Sequence, residues 1–207
     1  PMTPRAPCGL STFGSTLAVR AAVCAATWSV VGAALLPTVA NAFDFSGDKR
    51  LVAVFRDGST QAFGQVSFSP GPQAPQVAFK VKLNTAVLQD FFLSMREFKC
   101  LPATAEITCV VPYPYAQPGI VTPTDLAWLE HNLLFLFKQP SDFGAKLWNG
   151  VIFRFTPTPN ALVGTPEAVD LNLISAPPDD FTHPPFGAME RSSYSPGARW
   201  LSGLRIE

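Results

Sequence analysis

Charge is scarce in this chain, and so are the residues that most often carry chemistry. Only 14% of the 207 residues are Asp, Glu, Lys or Arg, in equal numbers of each sign, with two histidines and four cysteines. Without an excess of basic residues the chain lacks the electrostatic footprint of a nucleic-acid binder. His131 and His183 have no partner at helical His-pair spacing, and on a helix the adjacent Glu130 and His131 point about 100° apart, so no metal site is expected. G-x-S-x-G, a glycine-rich phosphate loop and H-E-x-x-H are all missing. Their absence removes the common signatures of hydrolases, nucleotide binders and zinc peptidases, and no cofactor is expected. There is also no heptad, internal repeat or low-complexity tract.

Long apolar runs are short as well. The longest uncharged apolar stretch, residues 21–36, covers 16 positions, fewer than the roughly 20 a spanning helix needs. It follows Arg5 and Arg20 and precedes Pro37 and Ala40-Asn41-Ala42. That is the order of a secretory signal cut after Ala42. Residues 1–42 are therefore predicted to be a signal peptide and residues 43–207 a single mature domain. An uncleaved anchor is the alternative, and it would be the only membrane contact. Cys24 follows Val23, a poor residue to precede a lipidated cysteine. Cleavage removes Arg5, Arg20, Cys8 and Cys24, leaving 13 basic and 15 acidic residues and two thiols.

Those two thiols, Cys100 and Cys109, read as one disulfide of an exported protein. The loop of about 10 residues that it closes is worth about 2–3 kcal/mol of chain entropy. A redox-active pair would stand closer together, at a helix start.

What is present is strand. Residues 51–56, Asp57-Gly58 and residues 60–68 predict a hairpin, with Ala62, Gly64, Val66 and Phe68 on one face and Gln61, Phe63, Gln65 and Ser67 on the other. Residues 76–83 alternate strictly, as a half-exposed strand does. Residues 96–101 and 106–113 predict a second hairpin braced by the cysteines. Residues 151–155, 162–165, 167–174 and 200–206 add further strands. Residues 84–95 are ambiguous, and Asn84 as a cap favours a short helix. Thr122-Pro123-Thr124-Asp125 reads as a helix start, with the helix running to about Lys138. Residues 176–197, rich in Pro, Ser and Asp, read as a long surface segment. The fold class expected is mainly β: an antiparallel β-barrel or strongly curved sheet with one principal α-helix packed on it.

On such a helix Leu126, Leu129, Leu133, Leu136 and Phe137 form a core stripe, and Glu130 falls inside it. A buried carboxylate needs a cation. Arg96 is the first candidate and Arg154 the second, either as the polar centre of a pocket or as a structural salt bridge. Trp128 and Phe135 on the far side of the helix, together with Trp148, are candidate ligand-lining residues. Pro112-Tyr113-Pro114-Tyr115 makes Tyr113 and Tyr115 a recognition edge or rim packing. The function expected is a noncatalytic periplasmic domain that binds a small apolar or amphipathic ligand inside the curved sheet. An envelope protein-interaction or assembly factor is the alternative, and a hydrolase centred on Glu130 or His131, helped by Asp125, comes third.

Residues 92–101, Cys109 through Tyr115, Asp125-Leu126 with Leu129-Glu130, Trp148-Asn149-Gly150, and Trp200-Leu201 with Ile206-Glu207 together resemble a group of uncharacterised exported proteins of Gram-negative bacteria. The resemblance spans most of the mature chain. It implies a periplasmic or secreted address and no particular activity.

Overall fold

Asp57-Gly58 forms the predicted turn. The computed structural model describes residues 42–93 and 96–207, all within one compact unit; the predicted signal segment, Ala42 apart, lies outside them. Gly58 has φ of 83°, a left-handed conformation that glycine adopts freely. Asp57 Oδ1 accepts the Ser59 amide at 2.9 Å and its hydroxyl at 2.6 Å. The turn joins β1 (Gly47–Phe55) to β2 (Thr60–Pro70) in antiparallel register.

That register carries a correction. Leu51 faces Gly64 but Val52 faces Ala62, so Phe63 is an extra residue. A bulge of this kind switches side-chain parity. Phe63 therefore joins Val66 and Phe68 in the core, where strict alternation had put it on the opposite face.

The remaining elements are β3 (Val77–Leu83), β4 (Gln89–Leu93), β5 (Arg96–Cys100), β6 (Ile107–Val111), β7 (Ile120–Val121), α1 (Ala127–His131), β8 (Leu134–Lys138), β9 (Gly150–Pro157), β10 (Leu162–Val169), β11 (Ser192–Ser193) and β12 (Leu201–Ile206). They form one antiparallel sheet in the order β4-β5-β6-β8-β9-β10-β12-β1-β2-β3-β7, with β11 attached to β10. The sheet is strongly curved. β8 and β2 stand five places apart, about 24 Å in a flat sheet, yet the Phe135 and Phe63 rings lie 6.2 Å apart across the interior. α1 packs against both β9 and β7, six places apart in the same order. The sheet does not close: β4 and β7 end its strand path, so the barrel alternative is not realised among the described residues.

The interior is filled by side chains. Phe63, Phe135 and Phe153 are fully buried against one another and against Leu51, Leu162 and Leu204. A second cluster, with Leu134, Leu136, Ile152, Leu171 and both cysteines, covers the opposite face of β8 and β9. Apolar residues on both faces explain why β8 reads as a continuous apolar run.

The same run defeats the predicted helix over residues 122–138. Periodicity cannot separate a short, fully apolar helix from a strand buried on both faces. Only five residues of that stretch, Ala127–His131, are α-helical, and Leu126 rather than Thr122 precedes them. Thr122 and Asp125 instead close a tight turn, with the Asp125 amide donating to Thr122 Oγ1 at 3.1 Å. Asn84 does cap a helix, accepting the Ala86 amide at 3.2 Å, but only one 3-10 turn, Thr85–Val87, before β4. The strand expected over residues 167–174 ends at Val169, where Asp170 caps a 3-10 turn.

Cys100 and Cys109 are paired opposite each other on β5 and β6, bonded and fully buried. Replacing both by alanine is expected to lower stability by about 2–3 kcal/mol, the entropy of the short loop. Urea unfolding of the double variant measures this as a lower midpoint, and an unchanged midpoint would contradict it.

Candidate functional site

Glu130 and His131 are the last two residues of α1. Glu130 is 6% exposed. Its Oε1 accepts the Phe155 amide at 2.9 Å and its Oε2 accepts Arg191 Nη1 at 2.6 Å. Neither Arg96 nor Arg154 is the partner. Arg191 comes from the stretch expected to be a surface segment, which crosses back over α1 and buries Phe186 completely. Arg191 Nε donates to the Phe186 carbonyl at 2.8 Å, and its Nη1 lies 3.7 Å from Glu167 Oε2. Glu167 Oε1 in turn stands 2.7 Å from Arg154 Nη2. Two carboxylates and two guanidinia thus alternate, Glu130, Arg191, Glu167, Arg154, with no net formal charge.

His131 is fully buried. Its Nδ1 is 2.7 Å from the Ala127 carbonyl, which can only accept, so Nδ1 carries the proton. Its Nε2 accepts the Phe186 amide at 3.0 Å, and the Phe186 ring stacks on the imidazole at 5.4 Å. Burial pushes its pKa down to about 4; the hydrogen bond to Ala127 opposes the fall and the Arg191 charge adds to it. His131 is a neutral structural group at physiological pH.

Glu130 and Arg191 border an open cleft of about 410 Å³, walled by Leu126, Phe155, Phe186 and the 58% exposed Arg154 side chain. Asp125 lines the same cleft, but its Oδ1 holds the Ala127 amide at 3.1 Å. Each Glu130 oxygen and each His131 nitrogen is already engaged by the protein's own groups.

A second concavity, of about 360 Å³, lies beside the second core cluster under the Pro112-Tyr113-Pro114-Tyr115 segment. Val111, Leu147, Leu171 and Ile174 line it, and the Tyr115 hydroxyl donates to the Ile174 carbonyl at 3.2 Å. Arg96 stands at its edge. The other described arginines all meet a carboxylate, a carbonyl or an aromatic ring. Arg96 meets none among the described residues.

The residues singled out from the sequence are therefore dispersed. Glu130 lines the charged cleft, and Arg96 and Tyr115 line the apolar groove. Trp128 borders a smaller hollow of about 230 Å³. Phe135 is a core residue of β8, not a ligand contact, because the predicted helix that exposed it is a strand. Trp148 is 63% exposed. Tyr113 sits among Tyr115, Trp128 and His131, its hydroxyl buried without a hydrogen-bond partner, and burial raises its pKa. Among the described residues no group of three His, Cys, Asp or Glu could hold a metal ion, and no helix is long and apolar enough to cross a membrane.

No protein-family model, curated protein or solved structure matches the chain. Function must be argued from the site geometry itself.

Arg191, Glu167, Phe186, Leu171 and Ile174 escaped the sequence reading. Phe186 did carry a signal: it is an aromatic directly after Pro184-Pro185, in a stretch rich in Pro, Ser and Asp.

Proposed function

We propose that the protein is exported, that its mature form begins at Phe43, and that it is a noncatalytic periplasmic or secreted domain holding a small amphipathic molecule in the groove beneath Tyr115. One observation carries the binding site: a groove of about 360 Å³, lined mostly by apolar residues, that has a single charged side chain, Arg96, on its lining. Small-molecule sites are concave and apolar with few polar groups. The filled interior moves the ligand from inside the curved sheet to this surface groove. Export is supported by the buried Cys100–Cys109 disulfide, by the sequence resemblance, and by Phe43, whose buried ring packs on Phe45 and Phe68 at the start of the mature chain.

Ser175 is exposed at the groove, so Ser175→Trp should block it without touching the core. The uncharged probe N-phenyl-1-naphthylamine is expected to bind the wild type saturably at one site and to lose that binding in the variant, with the thermal unfolding midpoint unchanged. Nonsaturable binding to the wild type, or equal binding to both, would sink the groove assignment.

A second reading, an envelope interaction or assembly factor, draws support from the large apolar side chains of Trp148, Leu173 and Phe181, which are exposed. A photo-crosslinker placed at Leu173 that recovers no partner protein from cells would count against it.

A further inference from the structure

Arg96 restricts the kind of molecule the groove takes. The other two polar side chains on its lining are already committed. Ser175 Oγ donates to the Asn172 carbonyl at 2.6 Å, and the Tyr115 hydroxyl donates to the Ile174 carbonyl at 3.2 Å. No carboxylate lines the groove. Glu97, the next residue along β5, alternates to the opposite face and accepts Lys99 Nζ at 3.1 Å. The charge on Arg96 is therefore not neutralised locally. In the cleft beside α1, by contrast, each arginine already faces a carboxylate.

We infer that the groove binds a free single-chain anionic amphiphile, its apolar chain along Val111, Leu147, Leu171 and Ile174 and its carboxylate, sulfate or phosphate head on Arg96. This rests on the groove assignment above. A guanidinium fork matches such oxyanions in shape as well as charge, and charge-assisted hydrogen bonds are the strong ones. The surroundings suit a chain longer than the groove. Exposed Leu173 and Trp148 each adjoin a lining residue, Ile174 and Leu147, and the Phe181 ring lies 6.4 Å from that of Tyr115. Phe181, itself exposed, thus offers apolar surface beside Tyr115.

The test is calorimetric titration, below micelle-forming concentrations, with decanoate, decyl phosphate, decyltrimethylammonium and decanol, on the wild type and on Arg96→Gln. Arg96 has no partner among the described residues, so this variant should keep the wild-type unfolding midpoint. The two anions are expected to bind about tenfold or more tighter than decanol, and to lose about tenfold in Arg96→Gln while decanol is unaffected. Equal binding of anion, cation and alcohol, insensitive to Arg96, would overturn the anionic head while leaving the groove assignment standing. If none of the four binds and the uncharged naphthylamine probe also fails, the groove assignment itself is lost. Retention on phosphatidylglycerol vesicles without binding of monomeric anions would place the anion in a bilayer and overturn the free amphiphile.

Discussion

Arg191→Ala should lower the free energy of unfolding by about 3–5 kcal/mol, the cost typical of removing one partner from a buried ion pair. The side chains of Arg191 and Glu130 are 8% and 7% exposed, so the attraction is little screened. Removal strands two buried carboxylates. Glu130 keeps only the Phe155 amide, and Glu167 keeps only the half-exposed Arg154. The bond from Arg191 Nε to the Phe186 carbonyl is lost at the same time, loosening the crossing segment from α1. With a slope of about 2 kcal/mol/M, the urea midpoint should fall by about 2 M. Adding Glu130→Ala should cost less than the two single losses summed, because the stranded charge goes too. A loss below about 1 kcal/mol, the range of exposed pairs, would show that the pair does not hold the segment.

Acid should destabilise the fold through His131. The unfolded chain takes up a proton at this residue near the ordinary value of 6.5, whereas the folded chain does so only at about 4. Between those values the unfolded state binds more protons, so falling pH favours unfolding. The contribution is fully present above about pH 6.5 and lost by about pH 4, and its size is about 3 kcal/mol. Protonation would turn Nε2 from the acceptor of the Phe186 amide into a donor facing it, near the Arg191 cation. Glu106 acts in the opposite sense, since burial raises its pKa against the pull of Arg199. The measurement is therefore a difference: stability of the wild type minus that of His131→Gln, at pH 7 and pH 4. The difference should shrink by about 3 kcal/mol, with the protection factor of the Phe186 amide, its exchange rate relative to the unfolded chain at the same pH, falling over the same range in the wild type. A pH-independent difference would refute the assignment.

Both experiments probe a cluster that was half legible in the sequence. Glu130 stood out because a carboxylate amid leucines demands a partner, and that demand holds whether the local backbone is helix or strand. Its partner was not legible. Arg191 lies 61 positions away, in a segment whose prolines, serines and aspartates describe a surface loop correctly for most of its length. Two buried side chains, Phe186 and Arg191, turn that loop into a structural tie.

The β1–β2 hairpin, the disulfide-linked β5–β6 hairpin and β12 were readable because their signals are local: a turn dipeptide, alternation, and two cysteines within ten residues. Phe63 was misplaced by one parity step because a bulge is a property of two paired strands. Residues 122–138 were misread because Leu133 to Phe137 is apolar at every position, which suits a helix and a doubly buried strand equally.

The sequence by itself determined the mainly antiparallel β composition, the Cys100–Cys109 bond and the need of Glu130 for a cation, since each follows from spacing or from the cost of burying a charge. Tertiary structure alone decided that the sheet curls without closing, that phenylalanines fill it, that Arg191 answers Glu130, and that Arg96 and Tyr115 share a groove with Leu171 and Ile174. Those outcomes depend on which distant segments meet across the sheet, and no local pattern encodes such meetings.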